Sequence, residues 1–246
     1  MKHNPEFTML EAYQAYGDYT SMMRLVESLI CDAATRLLGT LSLEFRGQRI
    51  DLSPPWERVS FAETMRSMGL APNAPPEILQ RALQQKGLKV AGLSRSQMVR
   101  LVEQLFEPKT KTKPLFVTDY WTELSPLAKA KPEEPDITER FELYIGGMEV
   151  ANAYSELNDP IEQRKRFEAQ LEHGSESESP RTPNPAPRTK MIDESFVEAL
   201  EYGMPPAGGL GVGVDRLAML LFNQPSIKDV ILFPLLKPSS SEGDGR

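Results

Sequence analysis

Cysteine occurs once in the 246 residues, at Cys31, and histidine only twice. One thiol excludes an internal disulfide and a cysteine-rich metal centre, and two imidazoles argue against a histidine-based zinc site. Basic residues are outnumbered, Lys+Arg 28 against Asp+Glu 35, for a formal net charge of −7. Nucleic-acid affinity usually rests on a basic footprint. Any contact with RNA is therefore expected to be local, or to be made by a part outside this chain. Apolar runs are short as well: the longest, such as 230–236, are strand-sized, against the roughly 18 residues that a membrane span needs. The start, Met1-Lys2-His3-Asn4-Pro5, has no apolar signal-peptide core. A cytoplasmic protein without membrane partners is the expectation. At 40% hydrophobic and 26% charged, the chain can bury a sizeable core.

Periodicity then organises the chain. Met22, Leu25, Val26, Leu29, Ile30, Ala33 and Leu37 recur at helical spacing, which predicts an amphipathic helix over 18–39 stopped at Gly39. Two short alternating strands follow, 41–45 and 49–52, turned at Arg46-Gly47-Gln48. Residues 53–110 read as a mostly helical insertion. Its best helix starts near Ser96, with Met98, Leu101, Val102, Leu105 and Phe106 on a stripe that core packing accounts for. Strand content marks 115–119 and 141–156, and helix signals mark 159–172 and 193–203. Between those helices, the Ser- and Pro-rich stretch 173–190 cannot bury enough apolar surface to order itself and is expected to be a mobile loop; 238–246 is expected to be a disordered tail. Long strands and helices without regular β-α alternation predict an α+β fold on an antiparallel sheet.

Three constellations carry chemistry. The run Gly208-Gly209-Leu210-Gly211-Val212-Gly213-Val214-Asp215-Arg216 is neither a Rossmann fingerprint nor a Walker loop. Alternate glycines thin a strand so that a flat ligand or a backbone can approach. Arg216, at the junction to a helix, suits a nucleotide base and its phosphates; tight packing with a solvated arginine is the alternative. In 141–156, alternation puts Glu142, Asn152, Tyr154 and Glu156 on one face, and Glu149 joins them if Gly146-Gly147 marks a turn or bulge. Converging carboxylates need cations. A metal-bound phosphate or a cationic substrate side chain would supply them, while scattered surface acids are the plainer reading. Near the start, Phe7, Met9, Glu11 and Tyr13 alternate onto one strand face, either as core packing or as an aromatic platform beside a carboxylate and a phenol.

Taken together, these segments resemble the class II lysyl-tRNA synthetases of bacterial type. His3-Asn4-Pro5-Glu6-Phe7-Thr8-Met9-Leu10-Glu11-Ala12-Tyr13 is similar to the second half of that family's motif 2. Residues 142–159 resemble its lysine- and metal-binding strands, 208–216 its motif 3, and Asp229-Val230-Ile231-Leu232-Phe233-Pro234 its closing segment. The resemblance implies a partial catalytic domain over 1–237 with the class II synthetase-like antiparallel sheet flanked by helices. It implies that Phe7 and Arg216 sandwich the adenine of ATP, with His3 and Asn4 nearby. Glu142 and Glu149 would hold Mg2+ against the phosphates, Glu149 and Arg216 being the residues closest to catalysis. Glu156, Glu11 and Tyr13 would receive the lysine side chain, with Asn152, Tyr154, Gly209 and Gly211 shaping its pocket. The implied reaction is activation of lysine to lysyl-adenylate followed by transfer to tRNA(Lys), and placement plus charge neutralisation suffices for its first step.

The match begins inside motif 2. The family's OB-fold anticodon domain, its motif 1 dimer interface and the arginine-bearing first half of motif 2 have no counterpart in the sequence. Little turnover from the chain alone is therefore expected, and the family's homodimer is doubtful for it. Trp121 stands where the family has proline. Two other readings remain: a paralogue without an anticodon domain that lysylates a protein, and a binding module without catalysis.

Overall fold

Each long element carries its own start and stop signals. In the computed structural model, which describes residues 4–105, 112–174 and 192–234, helix α1 (Tyr19–Leu38) begins where Asp18 accepts the Ser21 N–H at 2.7 Å. It ends at Gly39, whose left-handed φ of 68° lets its N–H reach the Thr35 carbonyl. The buried face is Met22, Met23, Val26, Ile30 and Ala34. It is rotated from the stripe expected above: Leu25 and Leu37 stand 41% and 58% exposed, because helix direction is set by what the sheet needs covered.

The main sheet has six strands, β1 (Met9–Ala15), β4 (Glu57–Ser60), β5 (Leu115–Thr118), β6 (Arg140–Ile145), β7 (Met148–Ser155) and β8 (Ala207–Gly213). Their spatial order is β1-β8-β7-β6-β5-β4, and every pairing is antiparallel except β4 with β5. This is the antiparallel α+β sheet expected from the sequence. The short hairpin β2 (Ser42–Phe45) and β3 (Gln48–Asp51) forms a separate two-stranded sheet turned at Arg46 and Gly47.

The segment 53–110 needs correction at its front. Glu57–Ser60 is a strand of the main sheet, and only then do the helices α2 (Phe61–Ser67), α3 (Pro76–Gln85) and α4 (Arg95–Leu105) follow. Helix α5 (Pro160–Gly174) takes in the first two positions of the stretch expected to be a loop. The rest of that stretch, the tail 238–246, Phe106 and His3 lie outside the described residues. Helices α6 (Glu194–Glu201) and α7 (Val214–Leu221) complete the order, α7 starting directly from β8.

Two apolar clusters fix which sheet face is left open. One face, with Phe116, Phe141, Leu143, Ala153, Leu210 and Val212, packs against α1, the β2–β3 hairpin and α7. Phe116 meets Phe141 edge-on at 5.1 Å and Trp56 at 5.7 Å. On the other face, Leu115 and Val117 pack with Phe61, Met65, Leu83, Met98 and Val102 under α2–α4. Those helices cover the β4–β5 end. Over β6, β7, β8 and β1 the same face carries polar side chains and cavities.

Candidate active site

Strand register assembles the site. Cross-strand partners share a face, and the pairs Val117–Glu142, Glu142–Asn152, Asn152–Gly211 and Gly211–Glu11 form one transverse row. The neighbouring row runs Arg140–Tyr154, Tyr154–Gly209 and Gly209–Tyr13. A third joins Tyr144 to Glu149. Glu149 reaches this face because Gly146 and Gly147, with φ of 59° and 76°, turn the hairpin, and because the register shifts between Leu143 and Tyr144. Tyr144 therefore faces Glu149 while Leu143 faces Ala151, leaving Val150 as the extra residue of a bulge that resets the parity of β7.

Two cavities of about 300 and 150 Å3 lie over these rows and share Met9, Asn152 and Gly211. The larger is lined by Asn4, Phe7, Thr8, Glu149, Asp215 and Arg216 among others. The smaller is lined by Glu11, Tyr13, Tyr154, Glu156 and Gly209. Among the described residues, every site position expected from the sequence except Glu142 thus lines one cavity or the other. Glu142 lies in the same row as Asn152, beneath them.

Glycine at 209 leaves room for two side chains of the slot. A Cβ there would overlap the Glu156 carboxylate and crowd the Tyr13 ring. Burial pushes the Glu156 carboxyl up to about 7, and no ion pair to it occurs among the described residues. Burial, then the Glu156 charge, pushes the Tyr154 phenol up to about 12. The small cavity is an acidic, half-buried slot whose carboxyl lacks a cation.

The larger cavity is held together at the junction of β8 and α7. Asp215 accepts the Thr8 N–H at 2.6 Å, and the Val214 N–H donates to the Thr8 carbonyl at 3.1 Å. Those two bonds seat the N-terminal loop, with its exposed Phe7, beside Arg216. Asn4 is turned onto its own loop, donating to the Glu6 carbonyl at 2.7 Å. Arg216 Nη1 donates to the Glu149 carbonyl at 2.7 Å and lies 3.3 Å from its carboxylate.

Glu142 is nearly buried, with three donors on its carboxylate: Arg140 Nη2 at 2.6 Å on one oxygen, and the Tyr120 and Tyr144 hydroxyls at 2.7 and 2.6 Å on the other. Burial and the Glu142 charge hold both phenols protonated, well above their ordinary value. Sequence reasoning missed Arg140, Tyr120 and Tyr144. For Arg140 and Tyr144 the signal was there, since both lie two positions from Glu142 on one strand. Asp215 and Glu103 were missed too, and only tertiary contact reveals them.

Whether the pair Glu142 and Glu149 could hold a divalent cation can be judged from their lone pairs. A carboxylate offers about four acceptor positions, so the three donors leave Glu142 one. Burial and the Glu142 charge, against the opposing pull of Arg216, raise the Glu149 carboxyl, which a cation would reverse. No group of three or more His, Cys, Asp or Glu suited to a metal occurs among the described residues. The donor chemistry of the pair is compatible with magnesium, which takes one or two protein carboxylates and fills its shell with water and phosphate oxygens.

A family model described as tRNA synthetases class II (D, K and N) matches residues 1–237. The lysine–tRNA ligase of Pelotomaculum thermopropionicum is 49% identical over 243 residues, covering 96% of this chain and 46% of its own. That of Moorella thermoacetica is 48% identical, over 96% of this chain and 48% of its own. That of Nostoc punctiforme is 44% identical, over 98% and 42%. The chain spans about half the length of the curated relatives it matches. Among the described residues no helix is long and apolar enough to cross a membrane.

Proposed function

The chain belongs to the class II tRNA synthetases of the D, K and N group, and from that premise we propose that it forms the lysine-activating part of a lysine–tRNA ligase. ATP occupies the larger cavity, its base between Phe7 and Arg216. Lysine occupies the smaller one, its ammonium at Glu156, Glu11 and Tyr13. Glu142 and Glu149 would hold magnesium there, which would supply positive charge against the phosphates. The shared residues Asn152 and Gly211 mark where the lysine carboxylate meets the α-phosphate. Attack gives lysyl-adenylate and pyrophosphate, and transfer to tRNA(Lys) follows. In the cytoplasm, the full cycle would also call on the family's anticodon-binding domain and homodimer interface, which the matched region does not include.

One observation carries the amino-acid assignment: the Glu156 carboxyl sits half-buried in the smaller cavity, with no ion pair to it among the described residues. An ammonium neutralises it. Aspartate or asparagine, the substrates of the other members of the group, would bring no ammonium to that carboxyl, and aspartate would set a second carboxylate beside it. The relatives bear the lysine name, which supports the same choice and favours neither a protein-lysylating paralogue nor an inert binding module.

The test is calorimetric titration of the folded chain with lysine, aspartate, asparagine and ATP, followed by amino-acid-dependent ATP–pyrophosphate exchange. Lysine and ATP should bind, the acidic and amide amino acids should not, and any exchange should require lysine and vanish in Arg216→Ala. Aspartate binding as tightly as lysine, or a folded chain binding neither lysine nor ATP, refutes the assignment.

A further inference from the structure

Arg140 belongs to neither cavity, yet its guanidinium touches a residue of both subsites. It opens β6, is 9% exposed, and lies over the Tyr120 ring with 4.5 Å between guanidinium carbon and ring centre. Nη2 donates to Glu142 at 2.6 Å and Nε to the Asn152 side-chain oxygen at 3.1 Å. Nη1 donates to the Leu124 carbonyl at 3.0 Å and the Ser125 hydroxyl at 3.1 Å, and approaches Glu103 of helix α4 at 3.5 Å.

We propose that Arg140 is a positioning residue that holds Glu142, on the phosphate side, and Asn152, on the amino-acid side, in one fixed relation. The proposal rests on the lysine-activating reading above. A guanidinium is a rigid planar fork, so two partners gripped by different nitrogens cannot shift independently. The first partner, Glu142, has its other oxygen held by Tyr120 and Tyr144, so its carboxylate cannot rotate and its one open lone pair has a single direction. The second, Asn152, can meet an arginine only with its amide oxygen. That orients the amide NH2 as the group Asn152 offers where the two cavities meet, toward a carboxylate or a phosphate oxygen. Arg140 also ties the site to α4, since Glu103, Leu124 and Ser125 fix the far side of the fork.

A merely structural Arg140, balancing the buried Glu142 charge, would leave ligand affinities alone once the chain is folded. The discriminating experiment is calorimetric titration of wild type, Arg140→Lys and Tyr120→Phe with lysine, and with ATP in the presence and absence of Mg2+, each protein checked for folding by near-ultraviolet circular dichroism. Arg140→Lys keeps the charge but cannot grip two partners in a plane. It should weaken both lysine affinity and the Mg2+-dependent part of ATP affinity by roughly tenfold to a hundredfold, the usual effect of removing a group that orients a metal ligand. Tyr120→Phe leaves the ring under Arg140 and removes one donor from Glu142, so it should weaken Mg2+-dependent ATP binding and leave lysine affinity unchanged. A folded Arg140→Lys chain with both affinities intact overturns the proposal. Should that variant fail to fold, unchanged Mg2+ dependence in Tyr120→Phe overturns it instead. Wild type binding neither lysine nor ATP refutes the functional reading itself, and the positioning role with it.

Discussion

Lysine affinity should depend on pH through one group. Glu156 is pushed up to about 7 by burial in the small cavity. On the proposed assignment the lysine ammonium would pair with the ionised form, so the observed affinity would be the intrinsic affinity multiplied by the ionised fraction. With a midpoint near 7, that fraction is about 0.9 at about pH 8, about a half at about pH 7 and about 0.1 at about pH 6. Between the first and last of these, affinity should fall about tenfold, or ~1.4 kcal/mol. The direction follows from the raised carboxyl: a proton must leave before the ammonium can be paired, so acid weakens binding. The same group acts the other way on the stability of the ligand-free chain. The folded state keeps a proton that the unfolded chain releases near its ordinary value of about 4.3, so this stabilisation is present at acid pH and lost as the pH rises through about 7. Calorimetric titrations of lysine across this range, in buffers of different ionisation enthalpy, count the proton directly. Glu156→Gln should flatten the profile and weaken binding at the alkaline end by ~1.5–3 kcal/mol, the worth of a hydrogen bond to a charged group. Glu103, also pushed up to about 7 by burial, lies against Arg140 and not in the amino-acid cavity. Glu103→Gln should keep the slope. A flat wild-type profile, or an unchanged slope in Glu156→Gln, would refute the reasoning.

Asp215→Ala removes the 2.6 Å bond to the Thr8 N–H that seats the Phe7 loop on α7. It should lose ~1.5–3 kcal/mol of local anchoring and weaken ATP several-fold while leaving lysine affinity alone; equal ATP affinity in the calorimeter would count against that loop as the nucleotide platform. Phe116→Ala empties a fully buried site between Phe141 and Trp56. Urea unfolding should show a loss of about 3–5 kcal/mol, and a loss below about 1 kcal/mol would mean that the core there can collapse.

Much of the fold was legible because local rules wrote it. Asp18 and Gly39 bracket α1, Gly146 and Gly147 turn β6 into β7, and the glycine run ends in a helix at Val214, each a boundary set by neighbours in the chain. Strand parity likewise placed Met9, Glu11 and Tyr13 together on β1, and Glu142 with Asn152 and Tyr154 across β6 and β7, and cross-strand pairing through β8 puts both sets on one face. The β4 strand escaped notice because four residues carry little periodicity, and its partner β5 is parallel and lies beyond three helices.

What the sequence determined by itself was therefore the inventory: which residues alternate, where helices stop, and that acidic, aromatic and glycine positions recur in a pattern shared with one synthetase family. Only the tertiary structure decided how that inventory meets. Register across β6, β7, β8 and β1 joins segments two hundred residues apart into three rows, and the bulge at Val150 brings Glu149 round to them. Tyr120 and Asp215 matter through partners that no local pattern names, since a hydrogen bond is specified by position in space and not by distance along the chain. The raised carboxyl of Glu156 is of the same kind, because burial is a property of everything packed around a group.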